Sequence, residues 1–129
     1  MNKLQKAMHE LGEIDELAAR ASPIHALHPA AKLLSTGLRR VCVSLGSEGV
    51  YCAWDTERCL APCPETKLVN ASGGGDAMMA GFVRAFLDGL PIEEAARFAL
   101  ACGSLAVESE ETVNPALTLA AARCRCGTV

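Results

Sequence analysis

Three consecutive glycines and an aspartate, Gly73-Gly74-Gly75-Asp76, stand between a short apolar run at 68–70 and a segment of strong helix-forming composition. Glycines at a strand-to-helix junction admit positive φ angles and let a ligand approach the main chain with no Cβ in the way. Their N–H groups, with those of the first helical turn, can converge on an anion, and the positive end of the helix dipole adds to the attraction. Phosphate is the natural guest. A carboxylate at Asp76 would repel that guest if binding were the whole task. Its presence makes sense if Asp76 takes a proton from a hydroxyl that attacks a phosphoryl group. Backbone donors then neutralise the charge growing on the transferred group while one carboxylate orients and deprotonates the nucleophile. The plain structural alternative is a glycine turn with Asp76 as helix N-cap.

Other phosphate and nucleophile motifs fail on spacing. A GxGxxG pattern begun at Gly73 needs glycine where the chain has Met78, and no acidic residue ends a strand about 20 residues on. A Walker A loop needs Gly-Lys-Ser/Thr where the chain has Asp76-Ala77-Met78. A nucleophile elbow at Ser72 needs glycine at the position of Asn70.

The cysteines offer a second chemistry. Seven of them (42, 52, 59, 63, 102, 124 and 126) are an odd number, which argues against a disulfide framework and for reduced thiols. Cys59 and Cys63 with Cys124 and Cys126 could supply four zinc ligands, but structural zinc sites favour a tighter paired spacing. Cys42, Cys52 and Cys102 sit among apolar neighbours, where a free cysteine acts as a small hydrophobe. His25 and His28 have no carboxylate or cysteine pattern beside them and read as loop histidines.

The elements that would hold this chemistry follow from periodicity and punctuation. Leu4, Ala7, Met8, Leu11, Ile14, Leu17 and Ala18 mark a helix over 3–20 with one apolar stripe. Pro23 and Pro29 bracket a break, after which 30–35 forms a short helix stopped by Gly37. The β-branched run 39–45 reads as a buried strand and 46–49 as a turn. A second strand over 50–54 and a third near 58–61 follow, divided by Asp55-Thr56. Pro62 and Pro64 interrupt the chain before one more strand at 66–70. Helices are expected over 76–87 and 92–108, with Gly89 and Pro91 between them, and a last one after Asn114-Pro115 to about 123. The 76–87 helix is apolar on nearly all sides and should be a buried central helix. Strands alternating with helices indicate an α/β fold.

Composition limits what such a chain can do. With 129 residues it is at most one ordinary domain, small for a complete two-substrate enzyme. Its formal charge of −3 argues against a nucleic-acid partner, which wants a basic face. The first twenty residues lack the apolar core of a secretory signal, and no run approaches a membrane span, so the expected location is the cytoplasm with no membrane partner.

On these residues, the stretch VNASGGGDAMMAGF at 69–82 resembles the C-terminal signature of the ribokinase-like, pfkB-type carbohydrate kinases, usually written D-T-x-G-A-G-D. Its flanks look most like the pseudouridine kinases and their sugar-kinase relatives. VCVSLGSEGVY at 41–51 resembles the family's strand and turn that contact ATP, and 96–118 resembles the helix and Asn-Pro loop on the adenine side. The resemblance implies that Asp76 is the catalytic base and that Gly73, Gly74 and Gly75 form the anion hole. It implies that Ser44, Gly46 and Gly49 line the nucleotide, with the Asn114 loop nearby. Asn70 and Ser72 fall at positions linked in relatives to a monovalent cation, so K+ joins ATP and Mg2+ among the implied cofactors. Asn70 replaces the commoner aspartate and Gly74 the usual alanine, a change expected mainly to loosen the turn. Asn2 and Gln5 stand where the family has an Asn-x-x-Glu motif that helps to place magnesium.

The implied fold is the C-terminal, nucleotide-binding part of a ribokinase-like domain over 38–129, entered through a helical segment at 1–37. The N-terminal substrate and lid half of the family, which reads the sugar or nucleoside acceptor, is absent. Such a part is expected to be inactive alone, and its exposed sheet edges would suit a homodimer or a non-catalytic nucleotide-binding or interaction module.

Overall fold

The computed structural model describes residues 23–127. The expected helix over 3–20, and with it Asn2 and Gln5, lies outside the described residues.

Helix α1 (Pro23–Ser35) leads into strands β1 (Arg40–Ser44), β2 (Val50–Trp54) and β3 (Glu57–Ala61); helices α2 (Gly74–Leu87), α3 (Ile92–Ala106) and α4 (Leu119–Cys126) follow. The three strands form one antiparallel sheet in the order β1-β2-β3. Cys42 stands opposite Cys52 in the first pairing, and Cys52 opposite Cys59 in the second. The chain is thus α/β, as expected, with a small sheet built from two successive hairpins.

Strand β2 is buried along its whole length because both faces of the sheet are covered. Val50, Cys52 and Trp54 point into the larger core with Phe82, Phe98 and Leu105 from the helices. Tyr51 and Ala53 point the other way, onto Ala30 of α1 and Val41 of β1. Alternation along one strand therefore serves two cores.

Helices α2 and α3 pack at very close range. A Cβ on Gly81 would come within 2.8 Å of the Ala99 Cα, and one on Gly103 within 3.0 Å of the Gly74 carbonyl oxygen. Small residues at the crossing set this separation. Thr118 caps α4, its hydroxyl accepting the Ala121 N–H at 3.1 Å.

Four expectations need correction. The segment around Pro23 and Pro29 is helical rather than a break: the described helix runs from Pro23 to Ser35. The helix runs on through Pro29 without that residue's own backbone donor. The run 66–70 is not a strand. No described strand lies beside it to complete a ladder, and Val69 and Asn70 instead both donate their N–H to the Val107 carbonyl, at 2.8 and 3.0 Å. The last helix starts at Leu119, four residues beyond Pro115, because Asn114 first forms a turn with Leu117. Helix α2 is not buried all round either: Gly81, Phe82 and Ala85 are buried, whereas Met79 is 63% and Leu87 74% exposed. Its inner face rests on α3; on its outer apolar face the Arg40 guanidinium lies 4.0 Å from the centre of the Phe86 ring, and Met79, Val83 and Leu87 remain exposed. Among the described residues, no helix is long and apolar enough to cross a membrane.

Candidate nucleotide site

A cavity of about 650 Å³ opens where the turn between β1 and β2, the start of α2, the end of α3 and the 63–71 connection meet. Its size is that of a small-molecule site. Ser44, Gly46 and Gly49 form one wall, Gly74 and Gly75 another, and Gly103, Ser104 and Val107 a third. Two segments about thirty residues apart in sequence, each singled out for its glycines, thus face a common space.

The local geometry of the turn follows from its composition. Gly73 is the N-cap of α2 at φ +80°, a left-handed conformation that side chains rarely adopt, and its carbonyl accepts the Ala77 N–H at 2.9 Å. The N–H groups of the residues after it begin the helix and so have no intrahelical acceptor. A Cβ on Gly75 would meet nothing within 4 Å, so this side of the turn is open. Gly74 is different: a Cβ there would lie 2.7 Å from Val107 Cγ1. Glycine at this position is therefore a close-packing requirement, and the expected loosening of the turn is offset by contact with Val107.

Asp76 lies in the first turn of α2 and is exposed. The cap position belongs to Gly73, and the Asp76 carboxylate makes no hydrogen bond or ion pair with any described residue.

Asn70, Ser72, Gly73, Asp76 and Asn114 do not line the cavity. Asn70 Oδ1 accepts the Ser72 N–H at 3.0 Å, and its amide nitrogen donates to the Glu110 carbonyl at 3.3 Å, which folds the chain into the glycine turn. Asn114 is buried; its amide donates to the Leu105 carbonyl at 2.6 Å and its Oδ1 accepts the Ala116 N–H at 2.9 Å. Both side chains are thus engaged in shaping backbone. Among the described residues, no three His, Cys, Asp or Glu side chains gather closely enough to hold a metal ion.

The structure adds residues that motif reading passed over. Cys63, Pro64, Glu65 and Thr66 border the cavity. The two prolines that break the strand pattern were the available signal, since a proline-interrupted segment stays outside a ladder and can drape over a site. Behind the third wall, Arg125 of α4 donates to Ser104 Oγ at 3.1 Å and to Glu108 Oε2 at 2.8 Å. That hydrogen bond, chiefly, holds the Glu108 carboxyl below the usual carboxylate range against the opposing effect of burial, with lesser help from the Lys67 N–H and the Arg125 charge. The Lys67 N–H donates to the same carboxylate at 3.2 Å, so the pair joins α3, α4 and the connection bordering the cavity.

Comparison with known proteins identifies the family and the fold. The family model for "pfkB family carbohydrate kinase" matches residues 8–119. The pseudouridine kinase of Escherichia coli is 41% identical over 85 residues, which are 65% of this chain and 27% of that protein. In solved structures, the ribokinase of Thermotoga maritima superposes with a TM-score of 0.66 at 27% identity, covering 76% of this chain and 33% of that one. Phosphofructokinase-2 of Escherichia coli, in complex with potassium, gives a TM-score of 0.72 at 23% identity, covering 82% and 34%; at that identity the likeness is one of fold. The chain spans about a third or less of the length of these relatives.

Proposed function

The chain belongs to the pfkB family of carbohydrate kinases, and we propose that it is the nucleotide-binding, base-carrying part of an ATP-dependent, pseudouridine kinase-like kinase for a sugar or nucleoside hydroxyl. One observation carries this reading: Gly74 and Gly75 of the glycine turn and the β1–β2 turn border a single cavity of nucleotide size, with Asp76 next to Gly75 just beyond its lining. ATP would lie between them, its adenine end toward the α3 wall and its phosphates toward the N-terminus of α2. The free N–H groups of Gly74 and Gly75 would receive the transferred phosphoryl oxygens, and the helix dipole favours the charge that grows there. Asp76 would accept the proton of the acceptor hydroxyl as it attacks.

The donor set fits these roles unevenly. Magnesium, when bound, neutralises charge between the outer phosphates, and it needs few protein ligands because it comes with the nucleotide. Asn70 and Ser72 offer neutral oxygens beside the turn, but Asn70 already spends its amide in both directions. Any potassium contact here would fall mainly to backbone carbonyls.

The acceptor would be read by parts of the kinase that relatives have and this span does not include. Asp76→Asn in a chain joined to such a substrate-binding part should abolish phosphate transfer and leave ATP affinity within about twofold. Undiminished transfer would remove Asp76 from the role of base.

The exposed apolar face of α2 favours a second reading, a module that acts by association. Light scattering coupled to size exclusion separates the two, since a strictly monomeric chain at high concentration contradicts self-association through that face.

A further inference from the structure

Strand register places three thiols in one row across the sheet, Cys42 beside Cys52 and Cys52 beside Cys59. The two neighbouring pairs are not equivalent. Between β1 and β2 the Leu45 N–H donates to the Gly49 carbonyl at 2.8 Å and the Asp55 N–H to the Arg39 carbonyl at 2.7 Å. Stepping inward by two from either end makes 43/51 and 41/53 the hydrogen-bonded pairs, so Cys42 and Cys52 occupy a non-hydrogen-bonded pair. There the Cα atoms are about 4.5 Å apart and the side chains are at their closest. That separation lies within the range a disulfide spans. Cys52 and Cys59 are registered with a two-residue turn at Asp55-Thr56, which makes theirs a hydrogen-bonded, wider pair.

The surroundings of the two sulfurs differ in a useful sense. Cys42 is exposed and Cys52 is wholly buried. The neighbouring Cys52 thiol, foremost, and the Trp54 indole, less, lower the Cys42 pKa against the effect of burial. The Trp54 Nε1 is itself buried and has no hydrogen-bond partner among the described residues, so a thiolate at Cys42 would offer it an acceptor. Cys52 is pushed far up by its Cys42 neighbour and by burial, and stays a thiol. An accessible sulfur with stabilised thiolate character beside a protected second thiol is the arrangement of a peroxide-reactive pair.

We propose that Cys42 and Cys52 are an oxidation site, closed by hydroperoxide into a cross-strand disulfide within the β1–β2 hairpin. The Cys42 thiolate attacks a peroxide oxygen; the O–O bond breaks, an S–O bond forms, and the released hydroxide takes a proton from solvent. Cys52 sulfur then attacks Cys42 sulfur. The S–S bond forms, the S–O bond breaks, and the oxygen leaves as water with the Cys52 proton. Two thiols lose two electrons and one peroxide becomes two waters. The bridge ties the hairpin whose turn, with Gly46 and Gly49, borders the cavity. The site itself stands whether or not that cavity takes a nucleotide.

The test uses the full chain, reduced and then exposed to hydrogen peroxide at or below one equivalent, with thiols blocked and the digest mapped by mass under non-reducing conditions. The expected product is an intrachain peptide linking Cys42 to Cys52, two hydrogens lighter than the reduced pair. Iodoacetamide should label Cys42 several-fold faster than Cys124, which is also exposed. In Cys52→Ala, dimedone should trap a sulfenic acid at Cys42. Should that variant not fold, Cys42→Ala at the exposed position must abolish the linked peptide while circular dichroism shows the fold retained. The proposal is overturned if both thiols stay reduced, if Cys42 labels no faster than Cys124, or if peroxide links either cysteine mainly to another residue or another chain.

Discussion

Replacing Gly74 with alanine puts a methyl carbon 2.7 Å from Val107 Cγ1, about 0.7 Å inside the distance at which ordinary contact begins. Val107 cannot easily give way. Its carbonyl receives the N–H groups of Val69 and Asn70, its own N–H reaches the Gly103 carbonyl at 3.3 Å, and its β-branched side chain has few rotamers. Overpacking of this kind costs about 1–3 kcal/mol. Exchanging glycine for alanine at a helical position returns roughly 0.5–1 kcal/mol, so Gly74→Ala should destabilise the chain by about 0–2.5 kcal/mol, near the middle of that range. Urea unfolding at constant m value reads this as a lowered midpoint. In the Val107→Ala background the clash partner is gone, and the same substitution should be neutral or slightly stabilising. The difference between the two backgrounds is the coupling of the pair, expected at about 1–3 kcal/mol. A Gly74→Ala protein more stable than the parent, with Val107 intact, would refute the packing reasoning.

Other consequences can be checked in the same way. Arg125→Met leaves Glu108 without its partner and should lower stability by about 1 kcal/mol at neutral pH, the pair being partly exposed and screened. The Glu108 pKa is depressed in the fold, so its contribution is full above the ordinary value of 4.5 and fades as pH falls from there through the lower folded value. Thermal melts between pH 7 and pH 3 should therefore show the parent and Arg125→Met converging in acid. Thr118→Ala removes the cap on the Ala121 N–H and should cost about 1 kcal/mol, seen as faster amide exchange in the first turn of α4.

Much of this was legible because it depended on local chemistry. The two hairpins follow from alternating apolar runs divided by Gly46, Gly49 and Asp55-Thr56, and the glycine turn announced itself before any partner was known. What escaped depended on neighbours far along the chain. The 66–70 run has strand composition, yet its amides find the Val107 carbonyl rather than a ladder. The reading of α2 as buried took composition for environment: Met79 and Leu87 are apolar, but burial needs a covering surface, and both stay exposed while only Arg40 lies over neighbouring Phe86. Pro29 misled in the opposite direction, since one absent donor does not outweigh the helical residues on either side of it. Glycine at position 74 could not be explained until Val107 was seen against it.

If the glycine turn and the β1–β2 turn together hold a nucleotide, their backbone amides should respond to one directly. Titrating isotope-labelled chain with MgATP, and following backbone amide resonances, tests this on the protein as it stands. Saturable shifts at Ser44, Gly46, Gly49, Gly74 and Gly75 are the predicted result. A titration that leaves these five amides unmoved, or moves only residues of α4, would contradict it.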